Sequence, residues 1–213
     1  RTAGAELCAM QLYIRGGAQR RTEATAGVEI MALRTAARGG TAELGKQAFH
    51  ERLDALGSDL DVASANAYSV VAAKSLTEQF DATFRLLAGV FMQPAMPATE
   101  VELVRQQQLS SIKRRDVTPD GRLALLVRKT VYAGHPWAKL AAGTVESVTP
   151  LTLADLKQHL TGMRVTSRLV VVVVGDVAVD KVRATVRETL AKLPRGDYKH
   201  TAVPRPKFTA ARV

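Results

Sequence analysis

The chain is 213 residues long, with 46% hydrophobic and 23% charged residues, a composition typical of a globular protein of one or two domains. A single cysteine excludes an internal disulfide and a cysteine-based metal cluster, and the longest wholly apolar run, residues 169–174, is too short to cross a bilayer. The formal net charge of +10 makes a polyanionic partner one hypothesis to weigh.

The first third of the chain predicts a strand, two helices and a hairpin. The strand ends at the turn Arg15-Gly16-Gly17, and the pair Gly39-Gly40 is typical of the C-terminus of a helix. The predicted elements are a strand at 6–14, helices at 22–38 and 44–56, and two strands of an antiparallel hairpin at 60–65 and 67–73.

Polar residues at capping-box spacing predict where the next helices begin. Ser75 with Glu78, and Thr99 with Glu102, match this spacing. The sequence Pro119-Asp120-Gly121 predicts a turn. These signals give helices at 75–91 and 99–115, and a third helix from the turn to about residue 131.

The last part of the chain predicts a helix at 152–160, a strand at 168–175 and a helix at 180–193. Five consecutive valines predict that the strand is buried on both faces, and Asp180 is the predicted cap of the final helix. Helices and strands alternate without regular βαβ units, which indicates an α+β fold.

The chain from Pro194 is rich in proline and basic residues, so we expect a domain at 1–193 and a linker at 194–213 leading toward a further domain. Because Arg1 is not an initiator, we expect a processed or excised segment.

No catalytic motif is evident from residue types and spacing. His50, Glu51 and Asp54 have the spacing HExxD, but the apolar positions of their helix place them toward its polar side. We interpret them as surface residues. Cys8 lies in an apolar run, which predicts a buried thiol. The loop His135-Pro136-Trp137 predicts an aromatic packing contact, and no P-loop, G-x-S-x-G or G-x-G-x-x-G occurs.

Many weak motifs in a fixed order resemble one protein family over about residues 5–193. These motifs lie in the segments YIRGGAQRRTEATAG, GVEIMALRTAARGGT, the long series from FHERLDALG to QQQLSSIKRR, VYAGHPWAKLAAGTVES and VVVVVGDV. This series resembles the inverted-zincin peptidases of family M16, which include pitrilysin, insulin-degrading enzyme and the mitochondrial processing peptidases. The resemblance implies an α+β domain of the LuxS/MPP-like metallohydrolase type, with helices packed on a mostly antiparallel sheet.

Active members of that family carry H-x-x-E-H on the first helix and a second glutamate on a later long helix. Aligned from Gly27, the two histidines and the general base fall on Ile30, Arg34 and Leu33. Aligned from Gly40-Thr41, the motif moves by one residue to positions 31–35. The later glutamate falls on Ser111, and residues 103–115 contain no acidic residue. We interpret Glu29, outside both registers, as a solvated first-turn carboxylate.

The resemblance therefore implies a non-catalytic domain of an M16-type zinc peptidase. In this family, homologous domains form a hollow chamber around a peptide, and zinc is expected only in an active H-x-x-E-H partner domain, on the same chain or another. Such a domain completes the chamber and helps to bind peptide. Lys113, Arg114 and Arg115 are candidates for attracting acidic peptides, and the bacterial members of the family favour a periplasmic location.

Two alternatives remain from the sequence. One is a non-proteolytic scaffold of the same fold, as in the core subunits of respiratory complexes. The other is a polyanion-binding module that uses Arg20-Arg21, the basic run at 113–115 and the tail from Lys199. Aromatic residues make up only 5% of the chain and do not alternate with these basic residues, and no nucleic-acid-binding motif occurs, so a solvated basic surface is the simpler interpretation.

Overall fold

A four-stranded antiparallel sheet forms the centre of the fold in the computed structural model, which describes residues 4, 6–200 and 202–206. The strand order is β2-β3-β1-β4, so β2 and β4 are the two edges. In the central register, Leu12 of β1 lies opposite Val71 of β3 and Val171 of β4. The strands are β1 (Leu7–Arg15), β2 (Asp59–Ser64), β3 (Tyr68–Leu76) and β4 (Leu169–Val174).

The alternation of side chains along β1 determines which face of the sheet is covered. Cys8, Met10, Leu12 and Ile14 are buried, whereas the residues between them are partly exposed. This period of two places every second residue on the helix-covered face. The predicted burial of Cys8 is confirmed, and burial raises the pKa of its thiol.

Helices cover the inner face of this sheet and supply most of the core. Phe49, Phe80, Phe84 and Phe91 are fully buried, and α1 is buried along most of its length. The helices are α1 (Val28–Gly39), α2 (Lys46–Ala55), α3 (Phe80–Met92), α4 (Ala98–Val117), α5 (Pro119–Val131), the single turn α6 (Val145–Val148), α7 (Leu153–Met163) and α8 (Val179–Glu188). The α+β class is confirmed. Across the described residues, no helix is both long and apolar enough to span a bilayer.

The first helix begins six residues later than predicted. Thr22 and Thr25 close a turn, in which each backbone N–H donates to the side-chain oxygen of the other residue, at 3.1 and 3.2 Å. These local bonds compete with helical ones. Gly27, with φ of 90°, then precedes the first residue of α1.

Three predicted helix caps are wrong. Ser75 lies within β3, and its hydroxyl donates to the carbonyl of Leu76. Thr99 lies inside α4, which begins after Pro97, and Asp180 lies inside α8, which begins after Ala178. Capping boxes form instead at Thr144 with Ser147 and at Thr152 with Asp155. The last helix also ends at Glu188, short of the predicted residue 193.

The prediction that both faces of the valine-rich strand are buried is wrong. Val170, Val172 and Val174 are 45%, 38% and 55% exposed. The reason is topological: β4 pairs only with β1, and these side chains point to the sheet face opposite the covered residues of β1.

The chain after Pro194 lies against the domain as far as the structure describes it. The backbone N–H groups of Thr166 and Ser167 donate to the carbonyls of Pro194 and Arg195. His135 bonds through Nε2 to the carbonyl of Pro204 at 2.7 Å. Continuation of this segment into a further domain stays a prediction.

Candidate functional site

The N-terminus of α1 is fixed by close packing against α4 and the loop before α6. The amide Nε2 of Gln108, a fully buried residue of α4, donates to the carbonyls of Gly27 (3.2 Å) and Ala142 (2.9 Å). A Cβ at Gly27 would lie 2.8 Å from the oxygen of Ala142 and from Val148. This contact and the positive φ of Gly27 together require glycine there.

One face of α4 packs toward α1. Val101, Val104, Gln108 and Ile112 are buried along it at helical spacing. Gln108 was not identified from the sequence as a functional or structural residue. The helical period of the buried residues around it could have indicated that it faces the core.

Glu29 is the centre of a buried polar cluster at the start of α1. It is 2% exposed, so its interpretation as a solvated carboxylate is wrong. Arg21 Nη2 lies 3.0 Å and His159 Nε2 lies 3.1 Å from its Oε2, and the hydroxyl of Ser69 donates to Oε1. These partners come from the loop before α1, from α7 and from β3. This cluster could not be predicted from the sequence, because its members are far apart in the chain and no residue near Glu29 in the sequence indicates its partners.

The partners of Glu29 determine its protonation state. Burial raises the pKa of this carboxyl, but the hydrogen bond from His159, the charge of Arg21 and the hydrogen bond from Ser69 together outweigh it, and the pKa is lowered to about 2. Burial lowers the pKa of His159 more than the hydrogen bond to Glu29 raises it. At pH 7, therefore, Glu29 is ionised and His159 is neutral and donates its Nε2–H to the carboxylate.

Four arginines lie at or near the polar cluster around Glu29. The guanidinium carbons of Arg15, Arg20 and Arg168 lie 5.4, 5.0 and 5.3 Å from the ring centroid of Tyr198. Arg21, the next residue after Arg20, is the ion-pair partner of Glu29. We call Arg15, Arg20, Arg21 and Arg168 the arginine cluster. Of these four, only the pair Arg20-Arg21 is evident as a basic cluster in the sequence, since Arg15 and Arg168 are distant from it in the chain.

A second buried carboxylate, Glu100 of α4, joins α4 to the end of α1. Lys46 Nζ lies 2.5 Å from its Oε1 and Arg38 Nε 3.2 Å from its Oε2. The hydrogen bond from Lys46, with a smaller contribution from Arg38, keeps the pKa of Glu100 below its usual range despite burial. Both cations are partly exposed, and the group is a structural ion pair.

The other residues singled out in the sequence are dispersed. Glu51 and Asp54 are exposed, and His50 bonds to the carbonyl of Arg38 at 3.2 Å. Trp137 donates from Nε1 to Gln19 and packs edge-on against Tyr132, so the predicted packing contact is confirmed. In the described part of the chain, no three His, Cys, Asp or Glu side chains are placed to hold a metal ion.

A sequence model of one family, described as Insulinase (Peptidase family M16), matches residues 1–145, which is more than half of the chain. The chain belongs to peptidase family M16. Two curated relatives are the non-peptidase homolog YmxG of Helicobacter pylori (28% identity over 157 residues) and an uncharacterized zinc protease of Mycobacterium leprae (30% over 156 residues). These alignments cover 74% and 73% of this chain but only 36% and 35% of the relatives.

The fold of this M16 domain is shared with a crystal structure described as the inactive domain of a peptidase M16 from Pseudomonas fluorescens. The TM-score is 0.85 at 22% sequence identity, and the match covers 97% of this chain and 50% of that chain. At this level of identity the similarity shows the fold alone.

The residues that the sequence analysis aligned with the M16 zinc motif do not fit a zinc ion. Ile30 and Leu33 are buried at 5% and 1% exposure and offer only hydrocarbon, while Arg34 is an exposed cation. Ser111 is exposed on α4, beside the buried stripe. Zinc sites use imidazole nitrogen, thiolate or carboxylate ligands, and none of these four side chains provides one. In the alternative register, Met31 and Thr35 are buried and are likewise not zinc ligands of this kind.

Proposed function

We propose that this M16 domain is non-catalytic and forms part of the wall of a peptide chamber, beside an active H-x-x-E-H domain on the same chain or on a separate subunit. One observation supports this proposal: α1 runs from its N-cap, Gly27, to the Gly39-Gly40 terminus, and Ile30, Leu33, Arg34 and Ser111 are the residues that the M16 resemblance aligns with metal ligands and a base. The similarity to a domain described as inactive supports it.

The sheet provides a physical basis for peptide binding. As an edge strand, β2 can pair its outer backbone groups with an added extended peptide. Zinc would then be needed only in the partner domain, and this domain would contribute binding surface and a limit on the size of the substrate. An active partner and a peptide substrate are parts of this proposal.

Reconstitution tests the proposed chamber. The active M16 domain encoded on the same or a neighbouring reading frame is purified and assayed for peptide cleavage with and without this domain. We expect efficient cleavage only when both are present. Equal cleavage by the active domain alone would contradict the proposal. Absence of any H-x-x-E-H domain in either frame would favour the scaffold alternative, which the name of the Helicobacter relative, a non-peptidase homolog, also supports.

Lys113, Arg114 and Arg115 remain a proposal for attracting acidic peptides. Lys113 and Arg114 are exposed at the end of α4, whereas Arg115 bonds to Asp116 and to the carbonyl of Gly143. Because Arg115 has structural contacts, the charge reversal should be limited to Lys113→Glu and Arg114→Glu. We expect slower cleavage of acidic peptides by the assembly, relative to the control Arg52→Glu with Lys157→Glu. Equal rates for the two variants would remove these residues from the proposal.

A further inference from the structure

The arginine cluster holds more positive charge than the carboxylates around it balance. Among the ion pairs formed by the described residues, Glu29 is the one carboxylate that contacts any of its four members, through Arg21. Burial, together with the neighbouring charges of Arg21 and Arg20, keeps the pKa of Arg168 below its usual range, although Glu29 opposes the shift. Like charges at this proximity repel one another, and an additional anion would lower that energy.

Within the described part of the chain, two buried guanidinium nitrogens of this cluster have no acceptor. Arg168 is 7% exposed; its Nε donates to the carbonyl of Arg15 (2.8 Å) and its Nη1 to that of Gly162 (3.0 Å), while Nη2 has no partner. Nε of Arg21 is also buried without a partner. An unsatisfied buried donor on a charged group is costly, so such groups commonly mark the place of a missing acceptor.

A cleft of about 320 Å³ opens beside Arg21 and Arg168. Its other polar lining residues include Thr25, Gln158 and His159. Asp155 also lines the cleft, but its carboxylate already accepts bonds from the N–H and hydroxyl of Thr152, at 2.7 and 2.6 Å. The cleft therefore combines two guanidinium groups and three neutral hydrogen-bonding side chains with one carboxylate, that of Asp155, and Arg15 and Arg20 add positive charge nearby, an arrangement suited to an oxyanion.

We propose that this cleft binds a carboxylate of a peptide, held by Arg21 and Arg168 and attracted by Arg15 and Arg20. Guanidinium groups bind carboxylates through charge-assisted and often bidentate hydrogen bonds. The carboxylate can come from an acidic side chain or from a peptide C-terminus. This inference rests on the proposed peptide-binding function and adds one defined subsite to it.

Binding to the 213-residue chain can be measured by calorimetry at fixed ionic strength without any cleavage assay. The probes are an end-capped tri-glutamate peptide, its tri-glutamine analogue, a neutral peptide with a free C-terminus, and inorganic phosphate. We expect a carboxylate-bearing peptide to bind and the tri-glutamine analogue not to bind. Binding of the tri-glutamate peptide assigns a side-chain carboxylate, and binding of the free C-terminus assigns a terminal one. Phosphate bound more tightly than either peptide, or binding of none of the probes, would overturn the proposal.

Substitutions then locate the site. Arg21→Gln removes one guanidinium from the cleft, and we expect at least about a tenfold loss of affinity for the carboxylate peptide, the scale of one charge-assisted hydrogen bond. If Arg21→Gln fails to fold, Arg20→Gln, at an exposed position, tests the surrounding charge; we expect about a threefold loss of affinity for the carboxylate peptide.

The control Arg52→Gln makes the same charge change on α2, outside the cleft, and should leave affinity unchanged. An equal loss in the control would show a general charge effect and overturn the subsite. Because binding is measured without an active partner, failure of the chamber proposal would leave this result standing.

Discussion

At the scale of single residues, Glu29 joins three separate parts of the chain to the start of α1. Its carboxylate contacts Arg21, Ser69 and His159. We predict that Glu29→Gln lowers the free energy of unfolding by about 3 kcal/mol, since removing one charge of a buried pair leaves the other uncompensated. Urea denaturation measures this change. The matched control is Glu51→Gln, at an exposed position of α2, for which we expect a loss of less than about 0.5 kcal/mol. Similar losses in both variants would contradict the assigned role of Glu29.

The same cluster predicts how stability depends on pH. The pKa of Glu29 is lowered from its ordinary 4.5 to about 2, so its contribution is complete above about pH 4.5 and is lost as the pH falls toward 2. The pKa of His159 is also lowered from its ordinary 6.5. Its contribution is therefore complete above that value and is lost as the pH falls below it, because the unfolded chain takes up the proton first.

Thermal unfolding between pH 4 and pH 8 tests this dependence. We expect the melting temperature to decline below about pH 6.5, and His159→Gln, which keeps a donor to Glu29, should flatten the decline between about pH 6.5 and pH 5. An unchanged profile in that variant would show that another group titrates.

Gly27 allows a test of the close packing at the N-terminus of α1. We predict that Gly27→Ala lowers the free energy of unfolding by about 2 kcal/mol or more, because φ is 90° and the new Cβ would lie 2.8 Å from the carbonyl oxygen of Ala142. Gly162→Ala on α7 is the control: it meets no atom within 4 Å and should be neutral or slightly stabilising. Chemical denaturation of both variants compares them directly, and a neutral Gly27→Ala would be inconsistent with the described contact.

At the scale of secondary-structure elements, the sequence predicts those parts whose signal is local. Alternating apolar residues locate β1, and the positions of the hairpin strands β2 and β3 follow closely from the same period. The predicted starts of helices are wrong where the side chains form other hydrogen bonds, as in the Thr22–Thr25 turn and at Ser75. The exposure of Val170, Val172 and Val174 on β4 also could not be predicted, since it depends on the edge position of that strand and on the sheet face to which these side chains point.

In the candidate site, too, the features with a local sequence signal could be predicted and those formed by long-range contacts could not. The sequence predicts where zinc ligands would lie on α1, at residues 30–34 or one residue later, and this placement stays a prediction. The Glu29 contacts and the arginine cluster could not be predicted, because Arg21, Ser69, His159 and Arg168 are brought together only by the packing of β1, β3 and α7. Long-range contacts of this kind leave no spacing signal in one sequence.

At the scale of the whole molecule, the alignments of this chain span only 36% and 35% of the length of two curated relatives. One face of its sheet is not covered by helices of the described chain, and Leu7, Tyr68 and Val174 are exposed on it. These features agree with the proposal that the domain works as part of a larger assembly, in which the chemistry is supplied elsewhere.

Zinc content tests the central claim most directly. The purified chain is incubated with zinc and dialysed; its bound metal is then measured by mass spectrometry, and peptide hydrolysis is assayed with and without a chelator. The account predicts less than stoichiometric zinc and no chelator-sensitive hydrolysis, because Ile30, Leu33, Arg34 and Ser111 provide neither metal ligands nor a general base. One tightly bound zinc per chain, together with hydrolysis abolished by the chelator, would contradict it.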